Sequence, residues 1–407
     1  MKLSGDDIIA RCRHIARFSE SATETTRTFL CPAMHDVHRY LGEWMGSLHM
    51  DVRVDAMGNL RGLHPGSRGG GRRLLIGSHL DTVPNAGAFD GILGVVLGIA
   101  LVQSLEGERL PFPIEIIGFS EEEGVRFGVP FLGSRALIGR VDDQLLSTTD
   151  QNGVSVYEAI RQFGLNPTHI GEACADPGVL AYLEFHIEQG PVLEHLDQPL
   201  AVVQAIAGQS RYAVNVTGSA SHAGTTPMNL RKDALAGMAE WITVVEADAK
   251  QVNGLVSTVA AVHSEPRAGN VVPAQVTASL DVRHAADEVR RAAAKRLLHS
   301  GASIAERRGL KFHAEVRLEQ ATVQMDPDLV GMAQRALQNI GCEGRLLTSG
   351  AGHDAMVIAE KVPSVMIFLR NPGGISHHPD ESVLRGDVDL ALSALLNILK
   401  QFASQVS

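Results

Sequence analysis

Short apolar runs that end in polar residues dominate the first half of the chain. Apolar residues at helical spacing between residues 8 and 15 predict an opening amphipathic helix. Residues 72–80, 113–120 and 179–186 are compact apolar runs, which are typical of buried strands. Residues 91–106 combine apolar and small side chains, so they predict a helix packed closely on a sheet. This alternation predicts an α/β domain whose polar site lies at the carboxyl edge of the sheet.

The pattern changes between residues 209 and 319, where the predicted elements follow the order βαββαβ. The predicted strands are residues 211–217, 255–263, 274–283 and 311–318, and the predicted helices are residues 230–252 and 285–308. The α/β pattern then resumes at residues 328–340 and 363–368. We therefore expect a discontinuous α/β domain, residues 1–210 and 322–407, with a mixed sheet and helices on both faces. A smaller α+β domain, residues 211–321, is expected as an insertion.

Composition and charge narrow the class of protein. The chain has 407 residues, and 36 Lys+Arg against 46 Asp+Glu give a net charge of 36 − 46 = −10. A hydrophobic content of 44% excludes wholesale disorder, and the acidic balance argues against a nucleic-acid partner. The longest apolar stretch, residues 92–102, is too short for a bilayer, which takes about 20 residues. With no secretory signal pattern and four scattered cysteines, we expect a cytoplasmic protein with reduced thiols and no membrane association.

Four polar segments follow predicted strands or hydrophobic runs, and each carries side chains that bind metals. They are GSHLDTVPNAGAFDG (residues 77–91), SEEEG (120–124), FHIEQG (185–190) and GISHHPDE (374–381). One such segment is typical of an ordinary hydrogen-bonded loop. Four together indicate a shared site, because buried carboxylates and imidazoles must be paired or metal-bound.

These segments resemble the M20 metallopeptidase clan through HxDT, Asp90 with Gly91, SEEEGVRF, HIEQGP and GISH. Within that clan HIEQGP, GQSRY, SHAGTTPM and GAGHDA resemble the hydantoinase/carbamoylase amidases. That family includes N-carbamoyl-L-amino-acid hydrolases, β-ureidopropionases, allantoate amidohydrolases and ureidoglycolate amidohydrolases. The resemblance runs from about residue 58 to residue 381. It implies a catalytic domain that binds two metal ions and an inserted domain for dimerisation that closes as a lid.

The resemblance also implies a ligand set and a general base. Asp90 would bridge the two ions, and the other ligands would be His79, His186, Glu123 and His377. His378 is adjacent to His377 and stays an alternative. Alignment on Gly124 makes Glu122 the base, and Asp81 would accept the second N–H of His79. Nitrogen and oxygen ligands without thiolates suit two divalent ions per subunit, Zn²⁺, Mn²⁺, Co²⁺ or Ni²⁺.

Other residues match family positions that contact the substrate. His222 in SHAGTTPM would stabilise the oxyanion in the active site of a partner subunit, which implies a homodimer. Asn270 and Arg283 would bind the substrate's α-carboxylate. Gln189 and His353 would face the ureido group, and Arg211 is a weaker candidate for a substrate contact.

Together these residues predict hydrolysis of the carbamoyl group of an N-carbamoyl-L-amino acid to the amino acid, CO₂ and ammonia. The close alternative is an allantoate amidohydrolase, and ureidoglycolate or β-ureidopropionate are further possible substrates of the same family. An M20 peptidase and a metal-free binding protein without catalytic activity are less favoured, because HIEQGP and GAGHDA resemble the amidases and each expected position is filled.

Overall fold

The computed structural model describes residues 3–68, 72–175 and 178–406, without the side chains of residues 405 and 406. It divides into two compact units. The large unit comprises Met1–Gln204 and Gln324–Ser407, and the small unit comprises Ala205–Val323.

The strands of the described residues are β1 (Asp51–Val54), β2 (Leu60–His64), β3 (Arg73–His79), β4 (Ile114–Phe119), β5 (Val179–Ile187), β6 (Leu200–Ile206), β7 (Gly208–Thr217), β8 (Ser221–His222), β9 (Val256–Glu265), β10 (Val271–Val272), β11 (Gln275–His284), β12 (Lys311–Gln320), β13 (Val323–Gln324), β14 (Leu346–Ser349) and β15 (Ser364–Leu369).

The α-helices are α1 (Gly5–Ile15), α2 (Pro32–Ser47), α3 (Ile92–Ser104), α4 (Leu132–Leu137), α5 (Asp143–Leu146), α6 (Val156–Gln162), α7 (Val192–His195), α8 (Ala234–Gln251), α9 (Asp287–Arg307), α10 (Pro327–Asn339), α11 (Asp354–Ile358) and α12 (Arg385–Val406). Short 3₁₀ helices cover Pro167–Ala173, Met228–Leu230 and Pro372–Gly374.

The main sheet of the large unit is mixed. Its strands follow the order β1-β2-β4-β3-β5-β15-β6-β13, and β14 pairs with β6. The four central strands β4, β3, β5 and β15 are parallel, whereas β2 and β6 flank them in antiparallel orientation. The carboxyl ends of the central strands therefore lie at one edge, where ligand sites of such sheets form.

Helices cover both faces of this sheet. Helix α3 is buried from Ile92 to Val102 and lies so close to β5 that a Cβ on Gly94 would come within 2.3 Å of the Phe185 carbonyl oxygen. Glycine is therefore required at this contact. Side chains alternate along a strand, so Glu184 faces away from α3, and it accepts a hydrogen bond from the first turn of α11. The prediction of a mixed α/β sheet with helices on both faces is confirmed.

The small unit contains a four-stranded antiparallel sheet of order β12-β7-β11-β9 and a two-stranded ribbon of β8 and β10. Helices α8 and α9 pack on one face of the sheet, and the Trp241 indole N–H of α8 donates to the Leu297 carbonyl of α9 at 2.8 Å. The four long strands and two helices follow the predicted order βαββαβ, whereas the β8/β10 ribbon was not predicted.

The helices in the described part of the chain lack either the length or the apolarity that a bilayer crossing requires.

Candidate metal centre

Polar side chains from four chain segments converge at the carboxyl edge of the central strands. β3 ends at His79, β4 leads directly into residues 120–124, and His186 is the second-last residue of β5. The segment after β15 leads to His377. Parallel pairing of β3 with β4 and β5 places these strand ends side by side. The topology thus brings together the four segments that the sequence singles out.

The first cluster consists of His79, Asp90 and His186, all buried. The His186 Nε2 lies 3.1 Å from Asp90 Oδ1, His79 Nε2 lies 3.6 Å from the same oxygen, and the two Nε2 atoms are 3.4 Å apart. His79 Nδ1 lies 3.0 Å from the Asp81 carbonyl and His186 Nδ1 lies 2.9 Å from the Ile187 carbonyl. Because carbonyls only accept, each Nδ1 carries the proton that it donates, and each Nε2 faces the cluster.

The second cluster shares Asp90 with the first and adds Glu123 and His377. The His377 Nε2 lies 3.3 Å from Asp90 Oδ2 and 3.4 Å from Glu123 Oε1. His378 instead lies beside Asp380, with a 3.6 Å separation between Nδ1 and Oδ2. Of the two adjacent histidines, the structure therefore brings His377 to the cluster.

The chain around Asp90 is shaped for this contact. Gly91 has φ of 69°, and a Cβ there would come within 2.5 Å of the His79 ring. Glu381 Oε1 accepts the backbone N–H groups of Phe89 and Asp90, at 2.7 and 3.0 Å. Asp90 Oδ2 accepts from Gln189 Nε2 and from the Ser376 hydroxyl, both at 2.9 Å. The Asp90 carboxylate is thus fixed from several sides, while its Oδ1 has no hydrogen-bond partner in the part of the chain that the structure describes.

The turn with three glutamates is held by Asp81. Its Oδ1 and Oδ2 accept the backbone N–H groups of Glu122 and Glu123, at 2.9 and 3.1 Å. Asp81 Oδ1 also lies 3.4 Å from His79 Nδ1. Glu122 and Glu123 form a third group of possible ligands with His79, whereas Glu121 is fully buried and outside every such group.

Burial of so many carboxylates shifts their pKa values. Burial raises the pKa of Glu122 well above its usual range, and burial together with the Asp90 charge raises the pKa of Glu123 to about 7. Burial also acts to raise the pKa of Asp90, but the adjacent imidazoles of His186, His377 and His79 hold it well below its usual value. Burial opposes charging of His79, yet the carboxylates of Asp81 and Asp90 raise its pKa. The cluster therefore favours positive charge within it.

The donor set fits divalent cations. Two imidazole nitrogens and a carboxylate oxygen face one point, and the second cluster adds another carboxylate and imidazole; the ligand atoms of each cluster lie within 4.8 Å of one another. Asp90 Oδ1 is buried and without a hydrogen-bond partner among the described residues, and these carboxylates make no ion pair with a Lys or Arg there. Buried charges of this kind are normally paired or coordinate metals.

Behind these ligands lies a second set of buried polar residues. Glu184 Oε1 accepts from the Ser78 hydroxyl at 3.0 Å, and Oε2 accepts from Ala355 N at 2.9 Å and the Tyr182 hydroxyl at 3.2 Å. His353, at the start of α11, packs its ring edge on His186 with centroids 4.5 Å apart. Burial, followed by the His186 charge, lowers the pKa of His353 well below its usual value, so its imidazole is neutral.

In the small unit, His222 lies on β8 and Asn270 directly precedes β10, its partner strand. Val271 pairs with His222, and the Asn270 carbonyl accepts from Ala223 N at 2.9 Å. The His222 Nδ1 accepts the backbone N–H groups of Gly224 and Thr225, at 3.1 and 3.2 Å. The imidazole proton of the exposed His222 is therefore on Nε2, which makes that atom a hydrogen-bond donor.

Arg211 and Arg283 lie together elsewhere in the small unit, on β7 and β11. Both contact the Asp281 carboxylate: Arg211 Nε is 2.8 Å from Oδ2, and Arg283 Nε and Nη2 are each 2.9 Å from one of its oxygens. The two candidate substrate contacts are thus joined by an acidic residue that has no role in the sequence-based prediction.

Several residues around the clusters, most of them buried, have no role in the sequence-based prediction. Glu184, Asp354, Ser376 and Glu381 all have side chains next to the predicted ligands or behind them. Glu184 stands inside the apolar run of β5, and a charged residue in such a run is a signal for a buried polar partner. Ser376 and Glu381 lie inside GISHHPDE, but no spacing rule marks them.

Comparison with known proteins places this site in a family context. Residues 75–401 match the peptidase family M20/M25/M40. The chain is 39% identical over 429 aligned residues to an allantoate deiminase of Arabidopsis thaliana, covering 97% of this chain and 82% of the relative. It is 37% identical over 366 residues to an N-carbamoyl-L-amino acid amidohydrolase of Geobacillus stearothermophilus, covering 89% and 90%. A crystal structure of a hydantoinase/carbamoylase family amidase from Burkholderia multivorans superposes with a TM-score of 0.93 at 30% identity, covering 99% and 98%.

Proposed function

Because the chain belongs to peptidase family M20/M25/M40, and relatives that match nearly its whole length are named for action on ureido acids, we propose that it is a metal-dependent amidohydrolase. It hydrolyses the carbamoyl C–N bond of an N-carbamoyl-L-amino acid to the amino acid, CO₂ and ammonia. The observation that carries this proposal is the pair of ligand clusters that share Asp90 beside the Glu122 carboxylate.

Two divalent ions per subunit are part of the proposal. His79 and His186 would hold one ion, Glu123 and His377 the other, and Asp90 both. Such ions lower the pKa of a water and polarise a carbonyl, and Zn²⁺, Mn²⁺, Co²⁺ and Ni²⁺ all accept this mixture of nitrogen and oxygen ligands.

Glu122 is proposed as the general base. Its carboxylate takes a proton from the attacking water and passes it to the leaving nitrogen, a role that suits a carboxyl group whose pKa is raised. Asp81 supports this role because it accepts the Glu122 backbone N–H at 2.9 Å and so fixes the turn.

The remaining predicted residues supply binding and charge stabilisation. Gln189 and His353 would contact the ureido group, and Asn270 and Arg283, with Arg211 beside them, would bind the carboxylate. His222 would donate from Nε2 to the developing oxyanion in the site of a partner subunit. Support for its donor role comes from the two backbone N–H groups that occupy its Nδ1.

Allantoate is the second candidate substrate. The 39% identity to an allantoate deiminase over 97% of the chain favours it as much as the 37% identity to the carbamoylase favours an N-carbamoyl amino acid. Both are ureido acids, so Asn270 and Arg283 serve either one. The kcat/KM values for ammonia release from metal-loaded protein, across N-carbamoyl-L-amino acids, N-carbamoyl-β-alanine, allantoate and ureidoglycolate, decide between them.

The base is tested by substituting Glu122→Gln. We expect kcat to fall by about 10³-fold, because a positioned proton acceptor contributes on the order of 10² to 10⁴, while the two bound ions remain detectable by elemental analysis. Glu121→Gln is the matched control, since Glu121 lies outside the ligand groups. If turnover survives in Glu122→Gln but is lost in Glu121→Gln, Glu122 is not the general base and the proposed assignment is wrong.

The dimer is tested by mixing inactive protomers. Glu122→Gln chains and His222→Ala chains should recover activity when combined, because a hybrid dimer contains one intact site. At equal ratios random pairing predicts about a quarter of the wild-type specific activity. If no mixing ratio restores turnover, His222 acts within its own subunit.

A further inference from the structure

The Asp281 carboxylate joins Arg211 and Arg283, the two arginines predicted from the sequence to contact the substrate. Asp281 pairs across the sheet with Arg211, and Arg283 follows two positions along the same strand, so all three side chains share one face. Arg283 places Nε and Nη2 against the two carboxylate oxygens, each at 2.9 Å. Arg211 adds its Nε at 2.8 Å. We call this group the arginine pair with its Asp281 bridge.

The bridge lies on the side of the small sheet that the helices do not cover. Leu280 and Val282, which flank Asp281 in β11, point into the core formed with α8 and α9. Alternation therefore places Asp281 on the opposite face. Its side chain is 24% exposed and those of Arg283 and Arg211 are 26% and 46% exposed, so a small solute can reach the group.

The charges of this group leave a surplus of one positive charge. Burial acts to raise the pKa of Asp281, but hydrogen bonds and charge from Arg283, with Arg211 behind them, lower it below its usual value. The carboxylate is therefore ionised at neutral pH, and it offsets one of two guanidinium charges that would otherwise repel each other. Within the described residues, Arg211 uses only its Nε in a hydrogen bond.

We propose that Asp281 is a positioning residue for substrate carboxylate binding: it orients the guanidinium planes of Arg283 and Arg211 toward an anionic substrate group. The inference rests on the proposed function, because it assumes a ureido acid as substrate. A guanidinium binds a carboxylate best through two parallel N–H groups, so the orientation of its plane decides the strength of the contact. The bridge fixes that plane before the substrate arrives, which reduces the ordering cost of binding.

The alternative to positioning is that Asp281 weakens substrate binding. A bridge that competes with the substrate for Arg283 would weaken binding, and its removal would strengthen it. The two effects predict opposite changes in KM, so one substitution separates them. We commit to positioning, because the three hydrogen bonds of 2.8 to 2.9 Å hold both guanidinium groups at once.

The experiment compares Asp281→Asn with wild type in the metal-loaded enzyme. Asparagine keeps the shape but turns an amide N–H₂ toward an arginine donor, so at least one guanidinium must move. For the best ureido acid of the panel, KM should rise about tenfold while kcat changes less than twofold, the signature of lost uniform binding. For the same compound with its carboxylate converted to a carboxamide, KM should not change.

Asp248→Asn is the matched control within the same unit. Asp248 binds Arg296 through the same Nε and Nη2 pair, at 3.1 and 2.8 Å, but on the helices. The KM values of the Asp248→Asn variant should equal those of the wild-type protein. If Asp281→Asn does not yield folded protein by circular dichroism, Asp281→Glu replaces it: the carboxylate moves by one methylene group, and KM for the ureido acid should again rise.

A double-mutant cycle confines the effect to the arginines. When Arg211 and Arg283 are both replaced by Ala, adding Asp281→Asn should leave KM unchanged, because the bridge has nothing left to orient. An unchanged or lowered KM in the single Asp281 variants overturns the inference. In that case the proposed function still holds, provided that the wild-type protein releases ammonia from a ureido acid. Wild-type protein that releases no ammonia from any ureido acid overturns the proposed function itself.

Discussion

The carboxylates around Asp90 in the large unit and the Asp281 carboxylate in the small unit have opposite surroundings. In the large unit, Asp90, Glu122 and Glu123 are gathered at one edge of the sheet with histidines and without an ion pair to Lys or Arg in the described residues. In the small unit, carboxylates are matched with arginines: Asp281 lies between Arg211 and Arg283.

The buried polar network of the small unit shows the same principle in its interior. Arg290 is fully buried and contacts Glu319 at 2.7 Å, Asp287 at 3.1 Å and the Ser210 hydroxyl. Asp287 also accepts from Thr322 N at 2.9 Å. The charges of this network are thus compensated by the chain itself, as is the buried Arg61–Glu115 pair of the large unit, whereas the carboxylates around Asp90 call for an external cation. This difference predicts which unit responds when cations are removed.

The largest expected effect is that of chelation on the large unit. Ligands that bind only the folded state stabilise it by about 4 kcal/mol when their concentration is a thousand times Kd. Removal of metal by EDTA should therefore increase amide hydrogen exchange in β3, in the Phe89–Asp90 segment and in residues 120–124. Strands β7 and β11 of the small unit should keep their protection, which exchange mass spectrometry resolves peptide by peptide.

Re-addition of Zn²⁺ or Mn²⁺ is the control for this experiment and should restore the protection. A uniform loss across both units, or no loss in either, would contradict the distinction between the Asp90 clusters, which need an external cation, and the internally compensated charges of the small unit.

Glu184 provides the next largest effect, because it is the point where three chain segments of the large unit meet. Glu184→Leu leaves the Ala355 N–H without its acceptor and removes one acceptor from Ser78 and Tyr182. A buried donor without a partner costs about 1 to 3 kcal/mol, so we expect the free energy of unfolding to fall by about 3 kcal/mol in urea titrations.

Glu184→Gln is the matched control. An amide can accept from Ala355 N and Tyr182 with its oxygen and donate to the Ser78 hydroxyl, so all three contacts have a partner. We expect a change below about 1 kcal/mol. Equal destabilisation by Gln and Leu would mean that the negative charge, and not the hydrogen bonding, is what this position requires.

The sequence predicts more of the sheet than of the site. Apolar runs that end in polar residues suffice to predict β3, β4 and β5, because these strands are buried on both faces and polar residues stand at their carboxyl ends. The short β8/β10 ribbon was missed, since two-residue strands carry no periodicity. Family resemblance supplied the candidate metal ligands, and the structure adds the geometric reason for preferring His377: its Nε2 faces Asp90 and Glu123, whereas His378 lies beside Asp380.

Contacts between residues that are far apart in the chain could not be predicted from the sequence. Glu381 accepts from the Phe89–Asp90 backbone across 291 and 292 positions, and Ser376 reaches Asp90 across 286. Nothing in the local pattern marks such partners, because they depend on which loops the topology places side by side. The Asp281 bridge is different: Arg211 and Arg283 were both proposed as substrate contacts, and only the strand register shows that one carboxylate holds them.

The smallest effect concerns a buried histidine of the large unit that no carboxylate compensates. His38 in α2 packs against Phe163, its Nε2 has no hydrogen-bond partner among the described residues, and burial lowers its pKa to about 4. Well above pH 6.5, both the folded and the unfolded states are neutral at this residue, so His38 contributes nothing to the pH dependence of stability. As pH falls from 6.5 toward 4, only the unfolded state takes the proton, which costs the fold about 1.4 kcal/mol at pH 5.5. His38→Leu should therefore gain that much relative to wild type between pH 7.5 and 5.5 in urea titrations with EDTA. Parallel pH profiles would instead place a compensating group beside His38.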